Sequence, residues 1–192
     1  MAVLPIVVYG DPVLRVKARP VARVDAEIRQ LLADMHETMV QAPGIGLAAN
    51  QVGRPVRCLV ASVDDSNLLM VNPRIVSRKG SYEAIEACLS LPGLQATVPR
   101  AERVVVAGLN RNGKPTKVEA EGLLARCLQH EIDHLDGIVF PDRALPGSIH
   151  WVREEGVDEE GEPILVREDT TWEEAHEALL GLRRHRLAAA TE

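Results

Sequence analysis

Two histidines stand four residues apart in the stretch LARCLQHEIDHLDG, with a glutamate directly after the first: His130, Glu131 and His134. On a helix such histidines are neighbours on one face, their Cβ atoms roughly 6 Å apart, so both imidazoles can converge on one cation. Glu131 follows His130 by about 100° of helical rotation. It can lie beside that cation without ligating it and handle the proton of a water. This is the HExxH arrangement of metal-dependent hydrolases. Two histidines do not make a stable site, and a third ligand is required.

Three cysteines are available: Cys58, Cys88 and Cys127. Cys127 precedes His134 by seven residues, roughly 10.5 Å along a helix axis. With a metal–sulfur bond of only ~2.3 Å, one straight helix could barely bring both onto one ion. Cys127 therefore reads as a small buried hydrophobe near the site. Cys58 lies in the apolar run RCLVASV and reads the same way. Cys88 sits in EACLSLPG, whose Pro-Gly bend predicts an irregular loop that can carry a thiolate to a distant helix. Cys88, His130 and His134 then make a three-ligand set with a fourth position open, the arrangement of a catalytic rather than a structural site. From these donors alone zinc is the expected ion.

The segment PGIGLAANQ (residues 43–51) contains a G-x-G-x-x-A pattern, with Asp64 where a ribose-binding acid would fall. That pattern needs a strand before it and a helix after it. Here a helix precedes it, and Gly53 and Pro55 leave no room for one afterwards. The dinucleotide reading is excluded. Gly44 and Gly46 instead let backbone approach a ligand closely, and the Gln51 amide can donate to a carbonyl oxygen.

The elements that must position these groups follow from pattern. Asp25 to Val40 carries apolar residues at Ile28, Leu31, Leu32, Met35 and Met39, a helical spacing behind an Asp25 N-cap. VRCLVASV predicts a buried strand, and residues 68–76 another, which Pro73 assigns to a sheet edge. Residues 104–109 and 116–120 flank Asn112-Gly113, a hairpin turn. Residues 121–135 are helical again and end near Gly137. In the tail, IHWV and PILV about EEGVDEEGE predict a hairpin insertion over 148–168. A helix over 171–190 follows, with Trp172, Ala175, Leu179, Leu182 and Arg186 on one side and a basic end of Arg183, Arg184 and Arg186. Helices mixed with antiparallel hairpins give an α+β class. The expected architecture is antiparallel and mixed sheets around a central HExxH-bearing helix, flanked by an N-terminal and a C-terminal helix.

Composition narrows the function. The chain has 192 residues, which suits one catalytic domain over 1–192 with a real core. A net charge of −6 argues against a broad nucleic-acid or membrane-surface role. No apolar run approaches the ~20 residues of a membrane span, and the opening MAVLPIVVYGDPVLR lacks the pattern of a secretion signal. Three cysteines, an odd and low number, fit a reducing compartment. A cytoplasmic protein is expected.

GIGLAANQ, EACLS and QHEIDH, in this order, resemble the three signature motifs of the peptide deformylases, and VVYGDPVLRVKARPV resembles that family's N-terminal segment. The resemblance implies hydrolysis of the N-formyl group from the initiator methionine of newly made proteins, so the partners are N-formylmethionyl nascent chains. It implies that Cys88, His130 and His134 hold the metal and that Glu131 is general base, then acid. It implies an oxyanion hole of Gln51 and the Leu89 N–H, and substrate backbone pairing at Gly44, Ile45 and Gly46. The methionine pocket would lie near Ile45, Glu86, Cys127 and His130. It implies Fe²⁺ as the native ion, with Ni²⁺, Co²⁺ or Zn²⁺ as substitutes, and a basic C-terminal helix able to dock on the ribosome. The chain departs from the pattern at Ala87, where the family usually has glycine, and at Arg126, expected to rim the pocket or snorkel to solvent. The 148–167 insertion is a third departure.

Other readings are distinguishable. A zinc peptidase using HEIDH would need His150 or Glu154 as its third ligand. A non-catalytic metal-binding or ribosome-associated module would leave Glu131 and Gln51 idle. A thiol redox protein would want a CxxC pair, which this sequence lacks.

Overall fold

The computed structural model describes residues 2–158 and 160–189, with side chains described as far as residue 183. Asp25 caps α1 (Ala26–Gln41) by accepting the Ile28 N–H at 3.0 Å. The helix buries Ile28, Leu31, Leu32, Met35 and Met39, the stripe its spacing requires. β1 (Gly46–Ala48), β2 (Cys58–Val63), β3 (Ser66–Lys79), β4 (Tyr82–Cys88), β5 (Leu91–Arg100), β6 (Arg103–Asn110) and β7 (Pro115–Glu121) lead to α2 (Gly122–Leu135). β8 (His150–Val157), β9 (Pro163–Asp169) and α3 (Trp172–Ala189) follow. The class is α+β, with antiparallel sheets and three α-helices among the described residues. The chain divides into two compact units: Met1–Val7, Asp11–Tyr82 and Arg100–Val139, and Val8–Gly10, Glu83–Pro99 and Phe140–Glu192.

The first unit holds a sheet of order β1-β2-β3-β6-β7. Pro73 does not place β3 at an edge; the strand is central, between β2 and β6. The register breaks between Val71 and Arg74, and Asn72 adopts φ 51°. This bulge takes Pro73 out of the ladder, so its missing N–H leaves no pair unmade. The Asn72 amide exchanges two 2.8 Å hydrogen bonds with the Val21 backbone, which holds the unusual conformation. At the β6–β7 turn, Gly113 takes φ 76° and donates to the Asn110 carbonyl. Leu59, Ala61, Val104 and Val106 of the strands form one core cluster with Leu128, Ile132 and Leu135 of α2.

The second unit holds a sheet of order β4-β5-β8-β9. EACLSLPG is not an irregular loop: β4 runs to Cys88, Leu89 and Ser90 form the turn, and Pro92 and Gly93 lie within β5. β5 pairs with β8 at Leu94 and Gln95, clear of Pro92, and Gly93 absorbs the bend at φ 78°. Leu94, Ala96 and Val98 are buried by strand alternation, and Leu91, out of that phase, is buried on the other side of the Gly93 bend.

α3 begins with a capping box the sequence reading did not find. The Thr171 hydroxyl accepts the Glu174 N–H, and the Glu174 carboxylate accepts the Thr171 N–H at 2.9 Å. Ala175 and Leu179 are buried as expected, but Leu182 is 47% exposed. The inward stripe is instead Trp172, Ala175, His176, Leu179, Leu180 and Arg183, a run of helical neighbours. Arg183 donates to the Gly10 carbonyl at 2.7 Å. The side chains of Arg184 and Arg186 lie outside the described residues. Among the described residues no helix is long and apolar enough to cross a membrane.

The Thr171 backbone and hydroxyl hydrogen bonds hold the Glu174 carboxyl below its ordinary value. Its contribution is therefore fully present above the unfolded pKa, ~4.3, and is lost as pH falls through the lower folded value. Acid titration followed by far-UV circular dichroism should show helicity lost in this window, and Glu174→Gln should flatten that transition.

Candidate active site

α2 carries the two histidines and Glu131, and all its residues from Ala125 to Leu135 are buried. Its polar side chains must therefore be met individually. Arg126 is 5% exposed; it neither rims nor snorkels. Its guanidinium lies 4.5 Å from the centroid of the Tyr82 ring and donates to the Tyr82 hydroxyl and carbonyl, each at 3.2 Å. Gln129 exchanges hydrogen bonds with the Ala101 backbone at 2.9 and 3.0 Å. Asp133 pairs with Arg100, both side chains largely buried. At the C-terminus the Leu135 carbonyl accepts from Ala18 N–H and Arg57, and Arg57 also binds Asp136 at 2.8 Å. A cation there complements the helix dipole. These fastenings fix the rotation of α2 about its axis, and with it the direction of His130 and His134.

The imidazoles of His130 and His134 stand edge-on, ring centroids 4.9 Å apart, with 9% and 1% of each residue exposed. Among the described residues the side chains able to share a metal ion are Cys88, His130 and His134, whose ligand atoms all lie within 4.8 Å of one another. Two donors ~2.0–2.3 Å from one ion stand at most ~4.5 Å apart, so this cluster is near the spacing one ion demands. One thiol and two imidazoles are donors that a divalent transition ion accepts. His150 and Glu154 are not in the group. Cys88 ends β4, with Leu89 in the following turn and Glu86 buried two residues before it. Ala87 has no positive φ, so alanine is unstrained there.

Glu131 is 4% exposed and lies against Gly46. A Cβ on Gly46 would overlap the Glu131 carboxylate and stand 2.7 Å from Cys127 Sγ. Glycine is required here by close approach, since its φ is ordinary. Cys127 is 3% exposed and its thiol donates to the Ile45 carbonyl at 3.3 Å. Gln51, in a 3₁₀ turn (Ala49–Val52), accepts the Ala48 N–H on Oε1 at 2.8 Å. With the oxygen so held, the other end of the amide carries only donors. Among the described residues β1 pairs with β2 alone in its sheet. The Ile45 carbonyl accepts from Ser62 near the end of β2, so alternation turns the Gly46 N–H and C=O to the opposite, outer edge.

Residues 3–148 match the family model of polypeptide deformylase. The chain belongs to the polypeptide deformylase family. A peptide deformylase of Alkalilimnicola ehrlichii is 51% identical over 146 residues, 74% of this chain and 82% of that one. A solved deformylase from Synechococcus elongatus, in complex with actinonin, aligns at TM-score 0.72 and 44% identity over 74% of this chain and 79% of that one. The deformylase of Thermus thermophilus aligns at TM-score 0.71 and 42% identity over 97% of this chain and 96% of that one. That likeness runs into the tail, beyond residue 148. As a member of this family the chain is a metal-dependent enzyme that removes the formyl group from N-terminal formylmethionine.

The sequence reading missed Arg100, Tyr82 and the polar face of α2. One clue was present: Arg126, Gln129 and Asp133 share a helix face. Arg100→Met would leave Asp133 buried without its cation and should cost about 3–5 kcal/mol in urea unfolding, much of it recovered by Asp133→Leu in the same chain. Gly46→Ala should cost about 1–3 kcal/mol by overpacking and lower activity by displacing Glu131, read by urea midpoint and turnover together.

Proposed function

We propose that Cys88, His130 and His134 hold one divalent ion, that Glu131 moves the proton, and that Gln51 and the Leu89 N–H receive the developing negative charge. The 4.8 Å grouping of the three donors carries this reading. The ion we assign is Fe²⁺, on the resemblance of the motifs, with Ni²⁺, Co²⁺ or Zn²⁺ accepted by the same donors. A divalent ion there supplies Lewis acidity that makes a hydroxide nucleophile accessible near neutral pH.

The chain's own residues do the rest. Glu131 takes the proton of the attacking water and later delivers it to the leaving amine. Its burial against Gly46 holds the carboxylate in one place. Gln51 meets the formyl oxygen with its donor end, because its own oxygen is held by Ala48. One such donor is worth roughly 3 kcal/mol in the barrier. The peptide adds as a strand to the outer edge of β1 at Gly46, continued by Gly44 and Ile45. The methionine side chain is received by Ile45, Glu86, Cys127 and His130. Residues 1–192 act as one catalytic domain in the cytoplasm. Docking on the ribosome would use the basic end of α3, where the sequence places Arg183, Arg184 and Arg186.

Formate release from formyl-Met-Ala-Ser, measured anaerobically with Fe²⁺ or Ni²⁺, tests the assignment. Glu131→Gln should retain its metal yet lose at least ~10²-fold in turnover. Cys88→Ser should lose metal, whereas Cys58→Ser and Cys127→Ser should keep it. An active Glu131→Gln enzyme, or equal metal loss in all three cysteine variants, would remove these roles.

A further inference from the structure

The segment Val8–Gly10 touches both α3 and the turn that follows Cys88. Tyr9 is 3% exposed. Its backbone N–H donates to the Ser90 carbonyl at 2.8 Å, fixing the far side of the Leu89–Ser90 turn. Its side chain goes to the helix. The phenol lies 3.1 Å from His176 Nδ1, and the ring centroid stands 5.4 Å from Trp172 and 5.5 Å from His176. Trp172 and His176 are themselves edge-on at 5.8 Å, so the three rings form one cluster. Gly10 then lets α3 come close. It has φ 99°, a Cβ on it would stand 2.9 Å from Leu180, and its carbonyl accepts from Arg183. Ser90 is fully buried, so its carbonyl cannot exchange this N–H for bulk water.

We infer that Tyr9 is a positioning residue, which transmits the hold of α3 to the Leu89–Ser90 turn and so aims Cys88 and the Leu89 N–H. The inference rests on the roles proposed for those two residues. One residue uses its backbone for the turn and its side chain for the helix, so loosening α3 loosens the turn. α3 is then part of the catalytic apparatus, although it contributes no group to the reaction. The aim of a donor matters because small misplacements cost large factors in rate.

The test compares Tyr9→Ala, Tyr9→Phe and Trp172→Ala with Leu182→Ala, an exposed position on the same helix. In metal-free protein, amide exchange at residues 88–91 and alkylation of Cys88 should accelerate roughly tenfold or more in Tyr9→Ala and Trp172→Ala. In loaded enzyme the same two variants should lose about tenfold in kcat with KM nearly constant. Tyr9→Phe, which keeps the ring, should recover most of both effects, and Leu182→Ala should match wild type. If Tyr9→Ala does not fold, Trp172→Ala carries the same comparison. Unchanged exchange at 88–91 while α3 itself frays would overturn the inference, as would a loss confined to KM. Wild-type protein that releases no formate would sink the proposed function instead, and the exchange and alkylation data would still decide this one.

Discussion

The buried stretch of α2 from Ala125 to Leu135 holds charged and amide side chains that have no bulk water to turn to. An unmatched polar group in such a place costs ~1–3 kcal/mol, more if charged. The surrounding chain is shaped by that demand. Tyr82 covers Arg126, the Ala101 backbone takes Gln129, and Arg100 takes Asp133. Each partner comes from a different point along β4 to β6, so the helix can satisfy all three in only one rotation and one height. Once that setting is reached, the adjoining face, next round the helix, aims His130, Glu131 and His134 together.

A second constraint is space. Gly46 lets the backbone of β1 lie directly on the Glu131 carboxylate and the Cys127 thiol. In the proposed mechanism this brings a peptide added to the sheet edge beside the group that handles its proton. The same backbone then turns sharply so that Gln51 folds back onto Ala48 and presents its donors. In the proposed mechanism, residues 44–51 bring edge, close approach and oxyanion donor into one short path.

The three cysteines show how one side chain acquires three roles from its surroundings. Cys58 is fully buried in β2, and burial pushes its thiol up to about 12, which makes it inert as a nucleophile or ligand at neutral pH. Cys127 is equally enclosed but spends its S–H on the Ile45 carbonyl. Cys88 ends a strand, half-buried, among the donors of the histidine pair.

Much of this was legible in the chain. The four-residue spacing of His130 and His134 implied a shared face because 3.6 residues per turn leave no alternative on a helix. The reach of one thiolate separated Cys88 from Cys127. The Asp25 cap, the α1 stripe and the Asn112-Gly113 turn are local, and local sterics determine them. The errors were long-range. Pro73 is tolerated in a central strand because a bulge and the distant Val21 backbone hold Asn72. EACLSLPG is two strands because β4 and β8 flank β5. The α3 stripe is rotated toward Arg183 because Gly10, far away in sequence, leaves room for it. The sequence by itself determined that two imidazoles and a carboxylate share one stretch of α2, since that is a matter of residue type and helical period. Only the tertiary structure decided who partners Arg126, Gln129 and Asp133 and which glycine must lack a side chain, because burial and close approach depend on segments far apart along the chain.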